Sequence, residues 1–387
     1  MSASTNTTSL AYSKETVFGT TDATPQFTLL PTTGGSPSNN ITTAMSEVIR
    51  SDRQTDDLVV VDGDVAGDIN YELSYAPYAD FMASVLMNTV SSSISETAIS
   101  TTVLADDTLT KASLEVAIEV GDVFKLTSIT EPAIDGVYTC IASAAGEISV
   151  YPPTGTLQDI SDIVATATDI QTNGASPIEG YTIRKVAENN GVPYYWYYRG
   201  CAINTMNFNF ATGSILNGSI GVIGLSEETR TTVLPSEQTD VAVPPYSIMN
   251  SVTSVGVIRI EGVTLGLCSF SSLDLTIDNQ INAAKSIGNL GACDLAAYSL
   301  MVTGNSEVYF NNLDLYNKFV NSESFSVTII VTDSDGNSIG IDIPKCKFES
   351  LDTPISGKDA FLMQSGSFKG LRDDTRDYMV KISRVDA

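Results

Sequence analysis

Residues 181–210 read as two alternating runs, YTIRKVAEN and VPYYWYYRGCAINTMNFNF, joined at Asn190-Gly191. Asn-Gly accepts the positive φ angles of the tight two-residue turn whose twist matches a β-hairpin. The flanking side chains repeat with period two, as a half-buried strand requires. Other stretches carry the same pattern. DLVVVDGDVAGDINYELSY alternates through Ile69, Tyr71, Leu73 and Tyr75, QFTLLPTT alternates and breaks at Pro31, and strand-like runs resume at Ser254 and continue to the C-terminus. Helical spacing is clear in APYADFMASVLMN, where Tyr78, Phe81, Met82 and Val85 fall three to four residues apart. The chain is therefore expected to be mainly β, and its 387 residues suggest two or three domains of about 100–200 residues each.

Charge narrows the function. Only 17% of residues are charged, against about 25% in a typical soluble protein, and the net charge is −26. That excess opposes general nucleic-acid binding and attraction to anionic membranes. There is no histidine, which excludes His-based triads, HExxH zinc sites and Cys/His fingers. The five cysteines, Cys140, Cys201, Cys268, Cys293 and Cys346, form no CxxC pair and are read as structural thiols. The polar N-terminus has no export-type apolar core, and no long apolar run appears. Synthesis and assembly in the cytoplasm are expected.

Residues 1–25 are small and polar and are read as an arm outside any core, ordering against a neighbouring subunit. Residues 91–174 break the composition. From Glu96 to Asp169 there are 12 acids and 2 lysines, net −10, with short strands spaced every 8–12 residues. A small all-β barrel or sandwich, inserted and facing outward, fits this pattern. Residues 236–251, bordered by Pro235 and holding Pro244 and Pro245, read as a connector.

The second half echoes the first. Gly191 precedes Cys201 by ten residues and Gly336 precedes Cys346 by ten. Ile339, Ile341 and Ile343 stand where Tyr194, Trp196 and Tyr198 stand, and Gly224-Leu225 matches Gly370-Leu371. Arg50 lies 25 residues before Tyr75, and Lys285 lies 24 before Tyr309. A strand leading into a helix reaches Phe81 in one half and Phe319 in the other. A duplicated β-sandwich unit with one helix is expected: residues 26–90 with 175–235, and residues 252–387.

The stretch SEVIRSDRQTDDLVVVDGDVAGDINYELSYAPYADFMASVLM resembles the N-terminal signature of tail tube proteins (major tail proteins) of long, non-contractile-tailed bacteriophages. YYRGCAINTMNFNFATGSILNGSIGVIGL, LTIDNQINAAKSIGNLG, VTGNSEVYFNN and VTDSDGNSIGIDIPKCKFES resemble later blocks of that family. Residues 91–174 are similar to the immunoglobulin-like or barrel insertion of some members. The resemblance implies a structural virion protein, a siphovirus tail component, and no enzyme. It implies rings stacked into a tube, sheets joined edge to edge around the lumen, and an arm or loop reaching the next ring. Its partners would be further copies of itself, other tail proteins at the tube ends, the tape measure protein, and double-stranded DNA passing without specific binding during genome ejection. Rings of six units would need three duplicated chains, a homotrimer with pseudo-six-fold symmetry. An acidic wall suits such a conduit, because it repels the DNA backbone at short range.

Other motifs are weaker. DSDGNSIGID, residues 333–342, superficially matches a calcium loop, but with Gly336 in the sixth place Val331 takes the first, where a ligand is required. It reads as a hairpin turn. Asp106-Asp107 and Asp373-Asp374 read as solvated surface, and Tyr194, Tyr195, Trp196, Tyr197 and Tyr198 as a largely buried strand. Arg50, Arg53, Arg199, Arg372 and Arg376 are expected in ion pairs between subunits. No catalytic, cofactor-binding or metal-ligating residue is assigned. The competing function is a binding module, either an immunoglobulin-like adhesin or a baseplate virion protein.

Overall fold

The computed structural model describes residues 4–52, 54–101, 108–152, 160–261, 263, 270–355 and 357–387. The chain is mainly β. Its first elements are β1 (Thr8–Lys14), β2 (Thr28–Leu30), β3 (Ser38–Met45), β4 (Leu58–Glu72) and the short helix α1 (Ala79–Val85). Next come β5 (Ser92–Thr101), β6 (Thr108–Thr110), α2 (Leu114–Ala117), β7 (Val123–Thr127), β8 (Gly136–Ala144), β9 (Glu147–Tyr151) and β10 (Ile160–Thr172). The chain returns through β11 (Tyr181–Asn189), β12 (Val192–Ala211), β13 (Asn217–Gly224) and β14 (Ser226–Arg230). Its second half holds β15 (Val255–Ile260), β16 (Phe270–Asp278), β17 (Asn282–Lys285), β18 (Ala292–Ala296), β19 (Met301–Tyr309) and α3 (Asp314–Val320). It ends with β20 (Phe325–Thr332), β21 (Ser338–Asp352), β22 (Met363–Gly370) and β23 (Lys381–Val385).

In the first half the antiparallel order is β1-β11-β12-β13-β4-β3. In the second half it is β15-β20-β21-β22-β19-β16. The β11–β12 register slips between Tyr181 and Ile183, and the β20–β21 register between Phe325 and Val327. Further slips fall between Ile203 and Thr205 on β12, and between Phe348 and Ser350 on β21. β14 folds back along the start of β12, as β23 does along the start of β21. Both long strands thus leave one sheet layer and enter another. Gly200, at φ +61°, sits at the bend of β12. The turn at Asn190-Gly191 has φ of 53° and 77°, the tight hairpin the sequence specifies.

The core lies between the layers. Tyr71, Tyr78, Phe81 and Tyr181 are wholly buried beside Phe208, Leu275, Ile343 and Phe368. Helix α1 buries Phe81, Met82 and Val85, the helical stripe read from the sequence. In β19, Gly304 lies under the Phe368 ring, where a Cβ would approach Cζ to 2.1 Å. Gly304→Ala is therefore expected to lower stability by about 1–3 kcal/mol through overpacking, measurable as a lowered midpoint in chemical denaturation.

Two features depart from the sequence reading. Residues 8–14 do not stay outside a core. They form β1, paired to β11 from Thr8↔Ala187 to Lys14↔Tyr181, and Leu10, Ala11 and Tyr12 are buried. The Tyr12 hydroxyl donates to Asp80 on α1 at 2.8 Å. Residues 236–251 are pinned rather than free. Glu237 and Asp240 both bind the buried Arg184 guanidinium, and Met249 is buried under Leu73 and Leu216.

The pairings β5-β10-β7-β8-β9-β6-β5 close on themselves, so residues 92–172 form a barrel, one of the two arrangements their spacing allows. This barrel is docked on the second half. β10 pairs with β23, and Val257, Ile330 and Val385 join the barrel's apolar cluster. At the junction Lys381 Nζ bonds Asp122 Oδ1 at 2.7 Å, both side chains being almost fully buried. Nearby, Asp342 accepts from Thr328 Oγ1 at 2.9 Å and lies 3.0 Å from the Tyr378 hydroxyl. Burial pushes the Asp342 carboxyl above its ordinary range, while Arg376 opposes that shift.

Candidate assembly surface

A strand-to-strand seam joins the two halves. Residues 205–211 of β12 pair with residues 272–278 of β16, from Thr205↔Asp278 to Ala211↔Ser272. The result is a continuous sheet in the order β3-β4-β13-β12-β16-β19-β22-β21. Alternation gives this sheet two unlike faces. One is the apolar core. The other carries Asn70, Asn207, Thr276, Asn305 and Ser367, linked row by row through the strand registers.

That outer face is small, polar and acidic. Asp68, Glu72, Asp274, Asp278, Glu307 and Asp352 share it with Lys347 and Lys369. Lys369 is held by Glu349 at 2.8 Å. Asn207 Nδ2 donates to Thr276 Oγ1 at 2.9 Å, and the Ser350 and Ser367 hydroxyls lie 2.7 Å apart. These cross-strand bonds occupy the polar groups with one another.

Both ends of this sheet are open. At one end, among the described residues, β3 pairs only with β4, and it is exposed along its whole length. At the other, residues 347–352 of β21 pair with β22 and with no second strand among the described residues. Unpaired edges of this kind are templates for another strand. Beyond the sheet, β3 and β4 continue as a two-stranded hairpin. Its ladder from Ile41↔Gly63 to Met45↔Leu58 exposes Ile41, Met45, Leu58, Val59, Val60 and Val61. At the tip the Arg50 guanidinium holds Asp52, at 3.0 Å, and Asp56. The bonds from Arg50 keep Asp52 below the usual carboxylate range. The β17–β18 hairpin of the second half is instead folded against Phe18, Ile178, Ile223 and Leu225. Lys285 on it reaches Asp64 Oδ1 at 2.7 Å at the base of the projecting hairpin.

The residues singled out in the sequence fall into ordinary structural roles. Within the chain Arg199 pairs with Glu228, Arg372 with Asp377 and Arg376 with Asp342. Arg53, Cys268 and Asp106-Asp107 lie outside the described residues. Asp333 accepts from the backbone N–H groups of Asp335 and Asn337, both at 2.9 Å, as a hairpin turn requires. Cys140, Cys201 and Cys346 are buried, and burial raises the Cys140 thiol to about 12. Tyr197 and Tyr198 are buried, and Tyr194 is exposed. Which strands carry the open edges escaped the sequence reading, since an edge strand and an inner strand alternate alike.

A sheet with one buried face, one self-satisfied polar face and two unpaired ends defines a building block of a larger β assembly. The chain belongs to the phage tail tube protein family: a family model described as "Phage tail tube protein" matches residues 5–370. No curated protein matches the chain. Membership makes it a structural component of the phage tail, and implies self-assembly into a tube that meets other tail proteins. No helix among the described residues is long and apolar enough to cross a membrane.

Proposed function

We propose that the two strand series are duplicated tube units and that three chains close a ring of six such units. The carrying observation is the shared order of the series, with register slips at matching places and one seam already formed inside the chain. Unit one comprises residues 26–90 and 175–235, unit two residues 252–387, with residues 236–251 as the linker. Closed head-to-tail symmetry satisfies every sheet edge without leaving an end. Rings stack into the tube of a long non-contractile tail, and the exposed β3–β4 hairpin reaches the neighbouring ring. The ladder beyond the sheet, five pairs long, projects roughly 17 Å at about 3.4 Å per residue. Its bare valines would be covered there.

The small acidic face then lines the lumen. DNA passing during genome ejection meets carboxylates and amides, with few cations to hold phosphate. The tape measure protein would occupy the same space before ejection. The barrel of residues 92–172 faces outward, on the far side of the second unit. Three-fold rotational order, repeating every 120° in an electron cryomicroscopy reconstruction of assembled tubes, is the expected result. Strict six-fold order with one chain per unit would overturn the duplication.

A further inference from the structure

The seam inside the chain specifies the seam between chains. Resting on the ring reading above, we infer that residues 35–40 of one chain pair antiparallel with residues 350–355 of the next, with Ser38 opposite Asp352 and Asn40 opposite Ser350.

The register follows from strand positions alone. Cys201 and Cys346 precede matching slips, so Thr205 and Asn207 of β12 correspond to Ser350 and Asp352 of β21. Gly224 packs on Val65, and Gly370 on Val302, which aligns β4 with β19. Val65 lies opposite Asn39, and Val302 opposite Ile277. Asn39 therefore stands where Ile277 stands, Ser38 where Thr276 stands, and Asn40 where Asp278 stands. In the chain, Asn207 faces Thr276 and Thr205 faces Asp278. Carrying those pairs to the open edges gives Asp352↔Ser38 and Ser350↔Asn40.

Backbone polarity agrees. The Asn279 N–H donates to the Asn204 carbonyl at 2.9 Å, so even-numbered positions of β12 bond across the internal seam and Asn207 does not. On the N-terminal edge, the Asn70 N–H donates to the Gly34 carbonyl at 2.9 Å, in the register that places Ser38 opposite Ala66. Even positions there point inward to β4, leaving the N–H of Asn39 aimed at the open side. Pro37, which has no N–H, also falls on that side, a placement confined to sheet edges. Pro354 aligns with Asn209, whose backbone faces β13, so its missing N–H does not blunt the outer edge. Both new pairs are thus non-hydrogen-bonded pairs, whose Cα atoms approach to about 4.5 Å, within disulfide reach.

The test is a cross-link in assembled protein. In a Cys293→Ser background, which removes the exposed thiol among the described residues, Ser38→Cys with Asp352→Cys should oxidise into covalent circles of three chains. Mixing the two single variants should give covalent dimers and nothing larger. Asn40→Cys with Ser350→Cys provides a second pair should the first disturb assembly. Thr42→Cys with Asp352→Cys, four residues out of register and about 13 Å apart, should stay unlinked. Tubes in which neither in-register pair links, or in which the shifted pair links equally, would overturn the register while leaving the ring intact. A wild-type chain that never forms rings or tubes would overturn the ring reading and this seam with it.

Discussion

Asn39→Pro should strongly impair ring and tube formation while leaving the single chain folded. β3 has a partner on one side only, and the Asn39 N–H points to the other. Proline is tolerated at such an edge, as Pro37 shows, so the free chain loses no ladder bond. In the proposed ring the same N–H meets the next chain. Its removal deletes one bond per seam and sets a pyrrolidine ring against the incoming strand. The assembly threshold should rise at least about tenfold, equivalent to about 1.4 kcal/mol per seam. Sedimentation and electron microscopy read the assembly, and thermal unfolding reads the fold. Asn39→Ala keeps the N–H and should assemble normally. Tubes from Asn39→Pro at the wild-type threshold would show that this edge is not used.

Asp122→Ala should destabilise the chain by about 3–5 kcal/mol, the usual effect of removing one partner from a buried ion pair. Lys381 would be left with Glu119, 3.9 Å away and largely exposed, and with Asp342 opposite it on β21, which is already engaged by Arg376. Its ammonium also rests over the Tyr378 ring at 4.6 Å, a contact too weak to replace a carboxylate. Opening should begin where β10 pairs with β23, visible as faster hydrogen exchange in both strands. Combining Asp122→Leu with Lys381→Met replaces both charges by apolar groups and should recover most of the loss. A change under about 1 kcal/mol for Asp122→Ala would mean that water reaches this junction. The same junction bears on removal of the barrel. Excising residues 92–173 strips Asp122 from Lys381 and uncovers Val257, Ile330 and Val385. A clean excision therefore needs Lys381→Met as well.

Much of this architecture was legible in local pattern. The Asn190-Gly191 hairpin and helix α1 depend on neighbours in sequence, and each was placed within a few residues. Matching Cys201 to Cys346 and Gly224 to Gly370 marked positions the strand registers also align. Matching Tyr75 to Tyr309 did not hold, because those registers set Tyr309 beside Glu72. The chain runs seven residues from Glu72 to the start of α1 and five from Tyr309 to the start of α3. Contacts between distant segments were hidden. β1 is a short run among polar residues, and its burial depends on β11, more than 160 residues away. Lys381 and Asp122 look like any surface charges until two domains close over them. The outer face of the sheet was visible only as polar alternation, since nothing in one strand says which neighbours share its row.

In the proposed ring the internal and external seams are not chemically equal. Inside the chain, Phe208 and Phe210 stand opposite Leu275 and Leu273, a greasy and permanent join. The matching external positions are Thr353 and Ile355 against Pro37 and Gly35. A growing tube built this way has a strong bond that never needs to form and a weaker one that can reopen. Chains that dock out of register can leave before the next layer traps them. Tethering also halves the number of independent bodies a closing circle must recruit, and holds the paired units at the high effective concentration of a linked pair. Growth can then be both quick to start and able to correct its errors.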